Sequence, residues 1–143
     1  MIQQLLLALG LASVTVVVHA VGTVQVVLPV AGIWRQERDS RGARGPVMTF
    51  TRLVSGLLLL HVAEMTMWAT AFVLAGVLPD FETSLYYSLT SYSTVGYGDV
   101  VPQQSWRLLG PIEAVVGVLM MGLSTGVIVA VVQRFYNSRL DQR

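Results

Sequence analysis

Three apolar runs dominate this chain: "LLLALGLASVTVVVHAVGTVQVVLPVAGI" at 5–33, "LVSGLLLLHVAEMTMWATAFVLAGVL" at 53–78 and "LLGPIEAVVGVLMMGLSTGVIVAVV" at 108–132. A hydrocarbon core about 30 Å thick is crossed by about 20 apolar residues in a helix. Each run is long enough, and none is broken by a cluster of charges. In lipid no water satisfies free backbone groups, so an isolated run must bond to itself as a helix. The sequence therefore predicts an all-α membrane protein with three transmembrane helices. The first run is the longest, which predicts a tilt or a bend near Pro29. Composition agrees: 12% of the residues are charged and the mean hydropathy is +0.65, against about 25% charged in a soluble domain.

The charges orient the spans. All nine basic residues are arginine. Arg35, Arg38, Arg41, Arg44 and Arg52 lie between the first two runs, and Arg134, Arg139 and Arg143 close the chain. The connection between the second and third runs carries Asp80, Glu82 and Asp99, with Arg107 at its far end. The positive-inside rule puts the first linker and the C-terminus in the cytoplasm, and the N-terminus and the acidic connection outside. Reading residues 1–20 as a cleaved signal, with "VHA" before Val21, would reverse this and strand the apolar residues 21–33 outside. The first run is therefore kept as a helix.

The acidic connection, 79–107, is more than a loop. "TSLYYSLTSYS", 83–93, has no glycine or proline and predicts a short helix capped by Thr83 or Ser84. Its length of about 16 Å is half a membrane span. "TVGYGD" follows at once. Its first five residues, extended, cover about another 15 Å. The chain can thus descend on a short helix and return as extended backbone, which is tolerated at that depth only against protein or a water-filled path.

"TSYSTVGYGDVVP" between two transmembrane helices resembles the pore loop of potassium channels, whose known filter is this same TVGYG pentapeptide. The resemblance extends over about residues 53–135 and implies a cyclic homotetramer around one ion path. It divides the chain into a peripheral N-terminal helix (1–34), an arginine-rich linker (35–52), a pore domain (53–135) and a short tail (136–143). Within the pore domain it implies an outer helix at 53–78, a re-entrant pore helix at 83–93, a filter at 94–98 and an inner helix at 107–133. Thr94, Val95, Gly96, Tyr97 and Gly98 match the filter residue by residue, with K+ held at Thr94, Val95, Gly96 and Tyr97. Tyr86 and Tyr87 stand where many members carry filter-bracing aromatics. Thr90 stands where some carry a glutamate that pairs with the aspartate after the filter, here Asp99, so that pair is missing.

The residue types suit the task. A dehydrated cation needs replacement oxygens, and rings of backbone carbonyls supply them. Carbonyls that all face one side need alternate residues at unusual backbone angles, which Gly96 and Gly98 reach cheaply. The implied function is passive, potassium-selective conduction in the inner or plasma membrane of a prokaryotic-type cell. The implied partners are other copies of the chain and membrane lipid, with no nucleic acid, no small-molecule substrate beyond K+ and no cofactor. Two alternatives are a non-conducting accessory subunit and a part of a potassium uptake system. With no cysteine, two histidines and no clustered catalytic set, an enzyme is not expected. No phosphate-loop or EF-hand pattern occurs.

Four further features bear on mechanism. The arginines at 35, 38, 41 and 44 have voltage-sensor spacing, but the residues between them are polar or small, so a linker is expected. Gly117 and Gly122 in the third run are candidates both for a gating hinge and for close helix packing. Glu113, inside the outer end of that run, is expected to brace the pore helix from behind through a hydroxyl of that helix. Finally, His19 and Glu64 lie near the midpoints of antiparallel runs, so they fall at one depth and are expected to pair, with His61 able to join or compete.

Overall fold

The computed structural model describes residues 2–37 and 44–140. Among them are four α-helices, one 3-10 turn and no strand: α1 (Ile2–Glu37), α2 (Arg44–Leu74), α3 (Phe81–Tyr92), the turn Gln104–Trp106, and α4 (Leu109–Leu140). Three stretches are long and apolar enough to cross a membrane, Ile2–Val30, Val47–Leu74 and Gln104–Arg134.

The helices run past the apolar segments that announce them. At 36, 31 and 32 residues, α1, α2 and α4 are about 46–54 Å long, well beyond a core of about 30 Å. Hydropathy marks where lipid stops, whereas backbone hydrogen bonding decides where a helix stops. α2 therefore starts at Arg44 and not at 53, taking Pro46 in its first turn, where the missing N–H costs nothing. It ends at Leu74 and not at 78, because Gly76 turns left-handed (φ 65°) and Val77 N–H closes onto Phe72 O at 2.9 Å. α1 continues through Pro29 as one helix. The expected linker 35–52 is thus largely helical at both ends. Arg38, Arg41 and Arg143 lie outside the described residues.

α2 packs on α1 and α3, and α4 packs on α1, α2 and α3. Toward the α3 end, Ala8, Met65, Trp68, Phe72, Tyr87, Tyr92, Leu109 and Val116 form one core. At the other end Val30, Leu53 and Leu57 form a second. α1 packs on both α2 and α4, and Gln4 Oε1 accepts from Leu108 N–H at 3.4 Å. Its other face, with Leu6, Leu9, Val17 and Leu28, is left exposed by this chain.

Candidate functional site

Asp80 starts the short helix. Its backbone is extended, and its carboxylate accepts from Thr83 N–H and from the Thr83 hydroxyl, both at 2.8 Å. Thr83 and Ser84 are therefore inside the helix and not at its cap, and α3 starts at Phe81. Either residue type suits a cap; the turn geometry after Pro79 selected the aspartate. The Thr83 N–H is also the main reason that the Asp80 carboxyl is held below its usual range. α3 buries Ser84, Tyr87, Ser88, Ser91 and Tyr92 against α2 and α4.

Residues 95–97 leave α3 without regular structure. Two amides tie the segment back to the helix end: Thr94 N–H donates to Ser91 O and Gly96 N–H to Thr90 O, each at 2.9 Å. Left-handed angles occur at every second residue, Thr94 (φ 63°), Gly96 (51°) and Gly98 (78°). For the two glycines this costs little. For Thr94, a β-branched residue, it is strained backbone, of the kind kept where surrounding structure enforces it. Sequence reasoning assigned the unusual angles to the glycines and missed Thr94; the strict alternation along 94, 96 and 98 was the available signal. Val95 and Tyr97 are 52% and 73% exposed, so this chain leaves much of each uncovered.

Behind this segment the bracing residues separate into distinct jobs. The Tyr86 hydroxyl donates to Asp99 Oδ2 at 2.7 Å. That bond is the main cause of a lowered Asp99 carboxyl and of a raised Tyr86 phenol. Asp99 thus has a side-chain partner in Tyr86, while Thr90 bonds back to Tyr87 O at 3.0 Å. Tyr87 packs its ring on Phe72, centroids 5.6 Å apart, and braces the helix from inside the core. Glu113 is fully buried, and Ser88 Oγ lies 2.5 Å from its Oε1 and 2.8 Å from Met65 O. Of the hydroxyls that α3 offers, Ser88 is the one that meets it.

The two glycines of α4 differ. A Cβ at Gly117 would lie 2.2 Å from Tyr92 O, the backbone at the end of α3, whereas one at Gly122 would meet nothing within 4 Å in this chain. Gly117 is a close-packing position.

Midway along the helices His19 Nδ1 lies 2.9 Å from Glu64 Oε1, with both side chains buried. Glu64 Oε2 also accepts from the Tyr92 hydroxyl. His61 joins the group: its Nδ1 is 3.0 Å from Tyr92 Oη and 3.4 Å from Glu64 Oε2, and its Nε2 is 3.0 Å from Ser124 Oγ. Ser13 and Thr66, the other nearby hydroxyls, bond to carbonyls of their own helices. Tyr92 and Ser124 were not read as members of this cluster. Nothing in a linear sequence marks them, since each arrives from a different helix.

The family described as ion channel matches residues 56–134 of this chain. Over 63 residues the chain is 38% identical to the A-type voltage-gated potassium channel KCND3 of Rattus norvegicus, and equally to the proteins of that name from Homo sapiens and Mus musculus. Those alignments cover 42% of this chain, which spans about 10% of the length of these relatives. No solved structure gives a significant match.

Proposed function

Because this chain belongs to the ion channel family, we propose that it is a subunit of a potassium-selective channel in which residues 94–98 of four copies surround one ion path. The observation that carries this reading is the alternation of left-handed angles at Thr94, Gly96 and Gly98, hung from the carbonyl end of α3. Alternating hands turn successive carbonyls to one side, and oxygen rings from four such rows can replace the water of a K+ ion. The C-terminal end of α3 adds a partial negative charge that favours a cation. Membership of the family points to transport and not to catalysis.

Four-fold closure is supported by what one chain leaves open. Val95 and Tyr97 are exposed, and a cavity of about 490 Å³ beside the filter is lined by residues that include Tyr87, Ser91, Thr94, Gly110 and Pro111. A neighbouring copy covering these surfaces would hold the filter at a fixed diameter, and cyclic symmetry closes such a heterologous contact. For orientation, the Gln4–Leu108 contact sets the start of α1 at the filter end, while Arg52 and Arg134 lie toward the other ends of α2 and α4. The filter and N-terminus then face outward and the arginines inward.

The test is flux. Purified protein in liposomes with an outward K+ gradient should pass K+ in preference to Na+, and Ba2+ should block it. Gly96→Ala, which puts a side chain at φ 51°, should abolish flux while the oligomer stays intact. Absence of K+ flux from the intact wild-type oligomer would reject conduction and leave the accessory-subunit reading.

A further inference from the structure

Outside the filter, His19 of α1 and His61 and Glu64 of α2 bring their ligating atoms within 4.8 Å of one another in the buried middle of the helices. We propose that these three side chains form an intramembrane site for a divalent transition-metal ion, with the Tyr92 oxygen at the end of α3 as fourth ligand.

The direction of the ring nitrogens carries the argument. Both Nδ1 atoms face the Glu64 carboxylate, His19 at 2.9 Å from Oε1 and His61 at 3.4 Å from Oε2. Both Nε2 atoms face a single oxygen, Ser124 Oγ, His61 at 3.0 Å and His19 at 3.4 Å. A hydroxyl oxygen has two lone pairs and can accept from two N–H groups. When Ser124 accepts from both rings, each histidine is fixed in the tautomer that carries its proton on Nε2. Each Nδ1 lone pair then points inward at the carboxylate. That is the arrangement of a metal-ligating histidine, whose outer N–H is held by an oxygen acceptor in the second shell.

Without a cation the same arrangement is short of positive charge. Two Nδ1 lone pairs and two carboxylate oxygens converge, and only the Tyr92 hydroxyl has a proton to offer them. A dication answers all of these acceptors at once. Bound to the carboxylate of Glu64 and to Tyr92 as phenolate, it makes a neutral unit, as a low-dielectric interior demands. The spacing is near what an ion needs. Donors at about 2.0–2.1 Å from a tetrahedral ion lie about 3.3 Å apart; each ring Nδ1 is 2.9 or 3.4 Å from a different Glu64 oxygen, and the ligating atoms of the three side chains lie within 4.8 Å of one another, so they would draw in around the ion. A donor set of two imidazoles and two oxygens selects Zn2+, Co2+ or Ni2+ over K+, Mg2+ or Ca2+, which prefer oxygen alone. The ion would tie α1 to α2 and to a residue two positions before Thr94, joining the extra helix to the base of the filter. The proposal does not depend on conduction.

The experiment is a titration of the untagged, chelator-treated oligomer in detergent with Co2+, whose tetrahedral complexes absorb strongly in the visible. Expected are one Co2+ per chain with a tetrahedral spectrum, bleaching of that spectrum by Zn2+, its loss in His19→Asn and Glu64→Gln, and affinity about 10- to 100-fold weaker in Ser124→Ala. A flat titration of wild-type protein to millimolar Co2+ overturns the site, leaving a hydrogen-bonded cluster only. So does a spectrum that survives in both His19→Asn and Glu64→Gln. Because wild-type protein alone can reject the site, a variant that fails to fold does not protect it.

Discussion

Replacing Gly117 by alanine should disturb, from behind, the segment 94–98 proposed as the filter. The new Cβ would stand 2.2 Å from Tyr92 O and 3.0 Å from both Tyr92 C and Tyr92 Cδ1. An ordinary contact is about 3.5 Å, so α3 and α4 must separate by more than about 1 Å. The nearest atom is backbone, in the last turn of α3, so no side-chain rotation relieves it. Overpacking of this size costs about 1–3 kcal/mol, and the helix preference of alanine over glycine returns at most about 1 kcal/mol. A net loss of about 1–2 kcal/mol lowers the folded-to-unfolded ratio about 5- to 30-fold. The displaced carbonyl belongs to Tyr92, two residues before Thr94, so the K+/Na+ permeability ratio should fall with stability. Denaturant titration of the oligomer and reversal potentials in bilayers read the two effects. Gly122→Ala is the matched control, with open space at its Cβ in this chain; it should leave stability level or slightly raised. If Gly117→Ala matches Gly122→Ala in both stability and permeability ratio, the close-packing account of Gly117 fails.

Tyr86→Phe removes the main group that holds the Asp99 carboxyl low. Its titration midpoint, followed by carbon NMR, should rise toward the ordinary 3.8, and an unmoved midpoint would show that the bond is not formed. The sign follows from the depressed value: the Tyr86–Asp99 contribution is present above the ordinary Asp range and is lost as pH falls through the lowered value. His19→Leu should destabilise the oligomer by about 1–3 kcal/mol, because it takes one polar neighbour from the buried Glu64 side chain and leaves Glu64 Oε1 facing an apolar group, and Glu64→Leu added to it should recover part of that loss; additive effects in this double-mutant cycle would reject the pairing. Glu113→Gln keeps a carbonyl oxygen opposite Ser88 and should hold stability within about 1 kcal/mol, while Glu113→Ala should cost about 1–3 kcal/mol. Equal unfolding midpoints for these two variants would mean that Glu113 does not brace α3.

The sequence by itself determined the number of spans, because an apolar run in lipid has only its own backbone to bond with. It also determined the non-helical segment between the second and third apolar helices, since "TVGYGD" admits no helix and its two glycines mark positions of positive φ. Residues 19 and 64 could be brought to one depth from the lengths of two runs alone, and the structure has them 2.9 Å apart. Helix ends were not legible in the same way. Arg44, Leu74 and the Asp80 cap depend on which backbone groups close onto which neighbours, and hydropathy carries no record of that. Nor could composition reveal what each hydroxyl or glycine faces. Tyr86 on Asp99, Tyr92 and Ser124 around Glu64 and the two histidines, and Gly117 beneath Tyr92 are all encounters between different helices. Each depends on the rotation of one helix about its axis relative to the next. That rotation is settled only when the helices pack, because on α1, α2 and α4 apolar residues go almost all the way round and leave no stripe to say which side faces in.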